Sequence, residues 1–185
     1  HPTRRPNKRT IWHCSQLIIT FALQMKDKIQ KTNAARLLDK AGIDYTLVPY
    51  TVDESDLSAV HVAAQLGENI KQVFKTIVLK GERTGHFVCV VPGDAEIDLK
   101  LAAKAAADKK ADLIPMKELL PLTGYIRGGC SPIGMKKTFP IFFDSSVTTF
   151  QHIYISAGVR GLQIKINPLS LIRFVNASTA DLTAK

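Results

Sequence analysis

Val73-Phe74-Lys75-Thr76-Ile77-Val78-Leu79-Lys80 is a β-branched run, and His86-Phe87-Val88-Cys89-Val90-Val91 is a second, with Gly81-Glu82-Arg83-Thr84-Gly85 between them. Two extended runs joined by a short segment that begins and ends in glycine read as a β-hairpin. A hairpin excludes a purely parallel sheet. Helical periodicity stands on both sides of it, so the fold class is α/β in its mixed sense: one domain, a mixed and curved sheet, flanking helices. Period-2 alternation puts Lys75 on the face of Ile77 and Leu79, with Lys80 on the other. A lysine on an apolar face needs a partner or a cleft. Alternatively the strand begins in solvent and the side chain snorkels.

Working outward on the N-terminal side, Asp27–Ala41 reads as an amphipathic helix capped by Thr32 or Asn33 and ended by Gly42. Ile43–Tyr50 alternates as a strand, Asp53–Asp56 is an acidic loop, and Leu57–Leu66 is a helix closed by Gly67. On the C-terminal side Asp98 caps an Ala-rich helix, Leu99–Ala107. Ala111–Met116 is a short strand or turn and Lys117–Leu120 a helical turn. Strands are expected at Phe139–Phe143, His152–Ser156 and Leu162–Ile166, with a last helix, Leu169–Val175, opened by Asn167 or Pro168.

The chain has 185 residues, 45% of them hydrophobic and 22% charged, which suits a core-forming domain and not a disordered one. No stretch approaches the roughly 18–20 apolar residues needed to cross a bilayer. The formal net charge is +9. Arg4, Arg5, Lys8 and Arg9 stand in the first 24 residues without an acid, which leaves +5 (9 − 4) on the rest. That surplus accords with an anionic partner without demanding one. Residues 1–24 are basic, Pro-interrupted and then briefly apolar, and are read as an N-terminal extension outside the fold; the domain is expected over 25–180. Cys14, Cys89 and Cys130 are too few and too scattered for a disulfide framework or a zinc site, so a reducing, cytoplasmic setting is the expectation. The histidines lack metal-ligand spacing.

Tyr125-Ile126-Arg127-Gly128-Gly129-Cys130-Ser131-Pro132-Ile133-Gly134 is the most irregular stretch. Its glycines let a ligand approach main-chain N–H groups, which is how an anion or oxyanion site is built; the alternative is a tight turn between strands. Ser156-Ala157-Gly158-Val159-Arg160-Gly161 is a second small-residue loop, read by itself as a turn. Cys130 has cations nearby in sequence but no histidine, so a cysteine nucleophile lacks its base. Lys100 and Lys104 share a helix face, either solvated or touching phosphate.

Five stretches together resemble one family: Lys31–Leu38, Val73–Thr76, Asp98–Lys100, Thr123–Gly134 and Ile155–Gly161. In that order and spacing the chain resembles the YbaK/EbsC aminoacyl-tRNA deacylases, relatives of the editing domain inserted in bacterial prolyl-tRNA synthetases. The resemblance covers about residues 26–180. It implies a strongly curved, barrel-like mixed sheet and a metal-free, cofactor-free enzyme that deacylates mischarged Cys-tRNA(Pro). Charged tRNA is the implied partner, with prolyl-tRNA synthetase as a second candidate. It implies Lys75 as the catalytic cation and Tyr50, Gly128, Gly129, Ser131, Pro132, Gly134, Ser156 and Gly158 as substrate contacts. The implied chemistry is attack by the substrate's own thiol, releasing a thiolactone. Gln163 stands where the family often carries an acid. Editing of alanyl- or prolyl-type esters, or tRNA or synthetase binding without chemistry, are the alternatives.

Overall fold

The hairpin is present as read. In the computed structural model, which describes residues 29–184, strands β2 (Phe74–Gly81) and β3 (Gly85–Pro92) pair antiparallel from Phe74↔Pro92 to Gly81↔Gly85. The segment expected as an extension, 1–24, lies outside the described residues. Helix α1 (Asn33–Ala41) starts later than its apolar pattern suggested, because Thr32 caps it: its hydroxyl accepts from the Ala35 N–H at 3.2 Å. Gly42, at φ 68°, closes it as a left-handed C-cap. Strand β1 (Tyr45–Pro49) follows, then helix α2 (Ala59–Leu66), capped by Ser58 and stopped by Gly67.

Asp98 accepts from the N–H groups of Lys100 and Leu101 and so begins α3 (Leu99–Ala105). Beyond it lie β4 (Ala111–Leu113) and α4 (Met116–Thr123). Helix α4 is longer than the single turn expected. Pro121 surrenders one backbone donor, yet the helix continues to Thr123, whose hydroxyl donates to the Leu119 carbonyl at 2.7 Å. Strands β5 (Ile141–Asp144), β6 (Ile153–Ser156) and β7 (Leu162–Ile166) come next, then α5 (Pro168–Phe174) under its Asn167 cap and a short β8 (Ser178–Ala180).

Eight strands form two sheets among the described residues, ordered β1-β7-β6 and β4-β2-β3-β5-β8. The larger one is mixed: β2 pairs antiparallel with β3 and β4, whereas β5 lies parallel to β3 and to β8. The expected barrel-like closure is not found: β6 meets β2 at one parallel bridge, Val73↔Tyr154, and no continuous ladder joins the sheets. Strand β8, too short to leave a periodic pattern, was not expected. Leu182 beyond it is fully buried, just past the end foreseen for the domain.

Leu79, Phe87, Cys89 and Val91 form one face of the hairpin and pack against Ala102 and Ala103 of α3 and against Leu182. Cross-strand partners point the same way, so Lys75, opposite Val91, shares this face and stands at its end. Lys80 is exposed on the other face, as alternation required. A second cluster joins Val62 and Ala63 of α2 to Val73 and Tyr154, with Tyr50 packed on its margin. The Tyr154 hydroxyl donates to Glu68 at 2.7 Å.

Candidate active site

Strand β2 has β3 along one edge for its whole length. On the other edge β4 pairs only with Leu79–Gly81, and β6 forms a backbone bridge only at Val73, just ahead of β2. Lys75 to Ile77 are left between these two flanking strands, and the glycine loop comes over the gap. The result is a cavity of about 310 Å³, at the lower end of the size range of ligand pockets. Lys75, Thr76 and Ile77 line it from β2, Gly128 and Cys130 from the loop, Ser156 and Gln163 from β6 and β7. Leu57, Ala59 and Val62 at the start of α2, with Val73 and Phe74, add an apolar wall.

Lys75 is half-buried, and its ammonium donates to the Gly93 carbonyl oxygen at 3.2 Å. Burial pushes its pKa below the ordinary lysine value, against the opposing pull of Asp94 and Glu96. Asp94 is itself shared with Lys71, at 3.5 Å. Two further polar atoms at the cavity have no hydrogen-bond partner: Thr76 Oγ1 and Gln163 Oε1. Gln163 is only 5% exposed. A buried acceptor without a partner costs roughly 1–3 kcal/mol, which a ligand donor recovers on binding.

The two small-residue loops interlock. Arg160 Nε donates to the Arg127 carbonyl at 2.9 Å, and Arg160 Nη1 pairs with Glu54 at 2.6 Å. A side chain at Gly129 would sit 3.3 Å from Val159, and one at Gly158, where φ is 99°, would sit 2.9 Å from the Tyr125 ring. Only glycine allows the loops to close on each other in this way. Tyr125 in turn donates its hydroxyl to the Ile133 carbonyl, pinning the far end of the loop.

Of the residues expected at the site, Lys75, Gly128 and Ser156 line the cavity; the others do not. Gly129 and Gly158 hold the loops together as described. Ser131 is fully buried, and its hydroxyl accepts from the Ile133 N–H at 3.3 Å. Pro132 is buried beside it, and Gly134 turns the loop at φ 71° near Leu37 and Asn33. Tyr50 donates its backbone N–H to Gly161 at 2.9 Å and packs on the α2 cluster. Thr76, Gly93 and the α2 wall were not foreseen. Gln163 carried a signal, since it is a polar side chain within a strand whose neighbours Leu162 and Ile164 are apolar and buried.

Cys130 lines the cavity, but burial pushes its thiol up to about 12, so it is neutral near pH 7. Among the described residues, no three His, Cys, Asp or Glu side chains gather into a metal-holding group. No helix among them is long and apolar enough to cross a membrane.

Residues 54–174 match the family model described as "Aminoacyl-tRNA editing domain". The Enterococcus faecalis protein named "Putative Cys-tRNA(Pro)/Cys-tRNA(Cys) deacylase EbsC" is 43% identical over 156 residues, covering 84% of this chain and 95% of that protein. Bacillus subtilis YwhH is 30% identical over 122 residues, 65% of this chain and 77% of its own. Two solved structures share the fold. One, titled a "putative trans-editing enzyme for prolyl tRNA synthetase", has TM-score 0.72 at 23% identity, with 84% of this chain and all of that chain covered. The other, "hypothetical protein APE2540", has TM-score 0.74 at 21% identity, with 80% and 97% covered.

Proposed function

The chain belongs to the aminoacyl-tRNA editing domain family, the YbaK/EbsC deacylases, and from that premise we propose that it releases cysteine from mischarged Cys-tRNA(Pro) in the cytosol. One observation carries the reading: a half-buried lysine, the backbone of Gly128 and the unpartnered oxygen of Gln163 line a single small cavity. Its lining includes the apolar Leu57, Ala59, Val62, Val73 and Phe74 beside the polar Lys75, Ser156 and Gln163, and its volume suits a short side chain.

The substrate ester joins the cysteine carbonyl carbon to a ribose hydroxyl oxygen. The cysteine sulfur attacks that carbon, a C–S bond forms and the C–O bond to ribose breaks. The ribose oxygen leaves with the proton the thiol gives up. The products are a cyclic thiolactone and uncharged tRNA. Attack within one molecule brings an effective nucleophile concentration of roughly 10⁵–10⁸ M when the geometry is held. The protein then has two tasks, holding the folded-back side chain and stabilising charge on the carbonyl oxygen. The Lys75 ammonium serves the second, with the Gly128 backbone opposite. Ser156 and Gln163 orient the amino-acid end. Gly129, Ser131, Pro132, Gly134 and Gly158 serve by fixing loop shape, and prolyl-tRNA synthetase is the candidate protein partner.

Wild-type protein at micromolar concentration is incubated with Cys-tRNA(Pro) and, separately, Ser-tRNA(Pro). The cysteine ester should be lost and the serine ester kept. Equal release of both excludes the thiol step. Salt-sensitive tRNA binding with neither ester lost marks a binding module and excludes the deacylase.

A further inference from the structure

A cavity of about 780 Å³, within the size range of ligand pockets, opens on the smaller sheet and shares no lining residue with the catalytic one. The strand register places it. Thr46 of β1, Lys165 of β7 and Tyr154 of β6 stand side by side across the sheet. Alternate residues share a face, so this row lies on the same face as Val48, Gln163 and Ser156, two residues along. Gln163 and Ser156 line the catalytic cavity, whereas Thr46, Lys165 and Tyr154 line this one. Helix α2 packs on the face through Val62 and Ala63, which cluster with Tyr154.

The lining holds one carboxylate and one ammonium, and the two do not meet. Lys165 carries its ammonium 5.8 Å from the centre of the Tyr154 ring. Asp44, just ahead of β1, is exposed and lines the same space. Among the described residues neither side chain joins an ion pair or a hydrogen bond. Thr46 stands opposite Lys165, so Asp44 is a diagonal neighbour of that lysine, and such neighbours lie roughly 7–8 Å apart. The ring contact leaves the lysine's N–H donors for an acceptor. Ile43 and Val48, both half-buried, add apolar surface, and the exposed His152 lies across from them in the lining.

We propose that this cavity binds a free α-amino acid with an aliphatic side chain, as its zwitterion. The inference is independent of the deacylase reading. An α-amino acid keeps its ammonium nitrogen about 2.5 Å from its carboxylate carbon. A charge-assisted hydrogen bond of about 2.8 Å at each end extends this to a span of about 8 Å, which matches the separation of Asp44 from Lys165. Asp44 accepts from the ligand's ammonium, Lys165 donates to its carboxylate, and Ile43 and Val48 take the side chain. A polyphosphate or a nucleic-acid strand fits less well. Asp44 would repel it, and a second carboxylate, Glu68, accepts from the Tyr154 hydroxyl at 2.7 Å.

L-Valine is titrated into the wild-type protein and followed by methyl NMR at Ile43 and Val48. L-Valinamide, which lacks the carboxylate, and isovalerate, which lacks the ammonium, are the controls. Saturable shifts with L-valine are expected, with each control bound at least about tenfold more weakly for want of one charge-assisted contact. Lys165→Met and Asp44→Asn should each weaken L-valine binding by a similar factor. Thermal unfolding checks both variants, and the exposed Asp44→Asn decides the point if Lys165→Met fails to fold. Lys75→Ala should bind L-valine as wild type does. No saturable shift, equal binding of the three probes, or unchanged binding in Asp44→Asn overturns the proposal. Loss of binding in Lys75→Ala moves the ligand to the catalytic cavity and overturns it as well. None of these readouts depends on ester cleavage.

Discussion

The Lys75 ammonium donates to the Gly93 carbonyl oxygen at 3.2 Å, and this bond holds a half-buried cation at the end of an otherwise apolar strand face. The side chain could have reached solvent by snorkelling. Instead it is retained where burial penalises its charge, with Asp94 and Glu96 only partly compensating. A cost of this kind in the folded state supports the proposed role of Lys75 at the site.

The cost has a pH signature. Lys75 has a folded pKa below its unfolded value, so between the two the unfolded chain binds more protons and stability rises with pH. The stability forgone at neutral pH is restored as pH climbs to the ordinary lysine range. Lys75→Met should therefore raise the thermal midpoint at pH 7, and the gain over wild type should shrink toward pH 10.5. Calorimetric melts at both pH values check this; a gain that grows with pH contradicts it.

Gly158→Ala should lower stability by about 1–3 kcal/mol. The new methyl group meets the Tyr125 ring 2.9 Å away, in a backbone conformation that L side chains rarely adopt. The Tyr125 bond to Ile133 would be strained with it, so deacylation should fall together with stability. Urea denaturation and a deacylation assay on the same preparation test the pair of effects.

Arg160→Ala separates alignment from stability. The Glu54 carboxylate is 71% exposed, and a pair that open contributes at most about 1 kcal/mol. Losing the bond to the Arg127 carbonyl frees one loop from the other. Misplacement on the scale of 1 Å can cost about 100-fold in rate, so kcat/KM should drop at least about tenfold with little change in the melting temperature. Glu54→Gln keeps the Arg127 bond and should stay near wild type.

Cys130→Ser should leave deacylation within about twofold. With its thiol pushed up to about 12, Cys130 supplies almost no thiolate at neutral pH. Rates of the two proteins at pH 7 decide the point, and complete loss in the variant would restore a cysteine nucleophile.

Sequence legibility followed the reach of the interactions involved. The hairpin, the Thr32, Asp98 and Asn167 caps and the Gly42 and Gly67 stops are set by residues within a few positions of one another, and all were readable. The extent of α4 was not, because a proline inside the pattern, Pro121, reads as a stop although the helix runs on to Thr123. Strand β8 and the separation into two sheets are set by long-range pairing that leaves no local period. At the site, Lys75 and the glycine loop announced themselves by breaking a pattern, and Gln163 did so more faintly. Tyr50, Ser131 and Pro132 were named by resemblance alone, and they stand outside the cavity lining. Thr76 is an ordinary strand residue by composition; it matters because neither flanking strand reaches it.

Single-turnover deacylation of Cys-tRNA(Pro) by wild type and by Lys75→Ala tests the central claim most directly. Removing one preorganised charge-stabilising group costs roughly 100- to 1000-fold, so ester lost rapidly with wild type should persist with the variant while both proteins melt as folded domains. A Lys75→Ala protein that clears the ester at the wild-type rate would contradict the account.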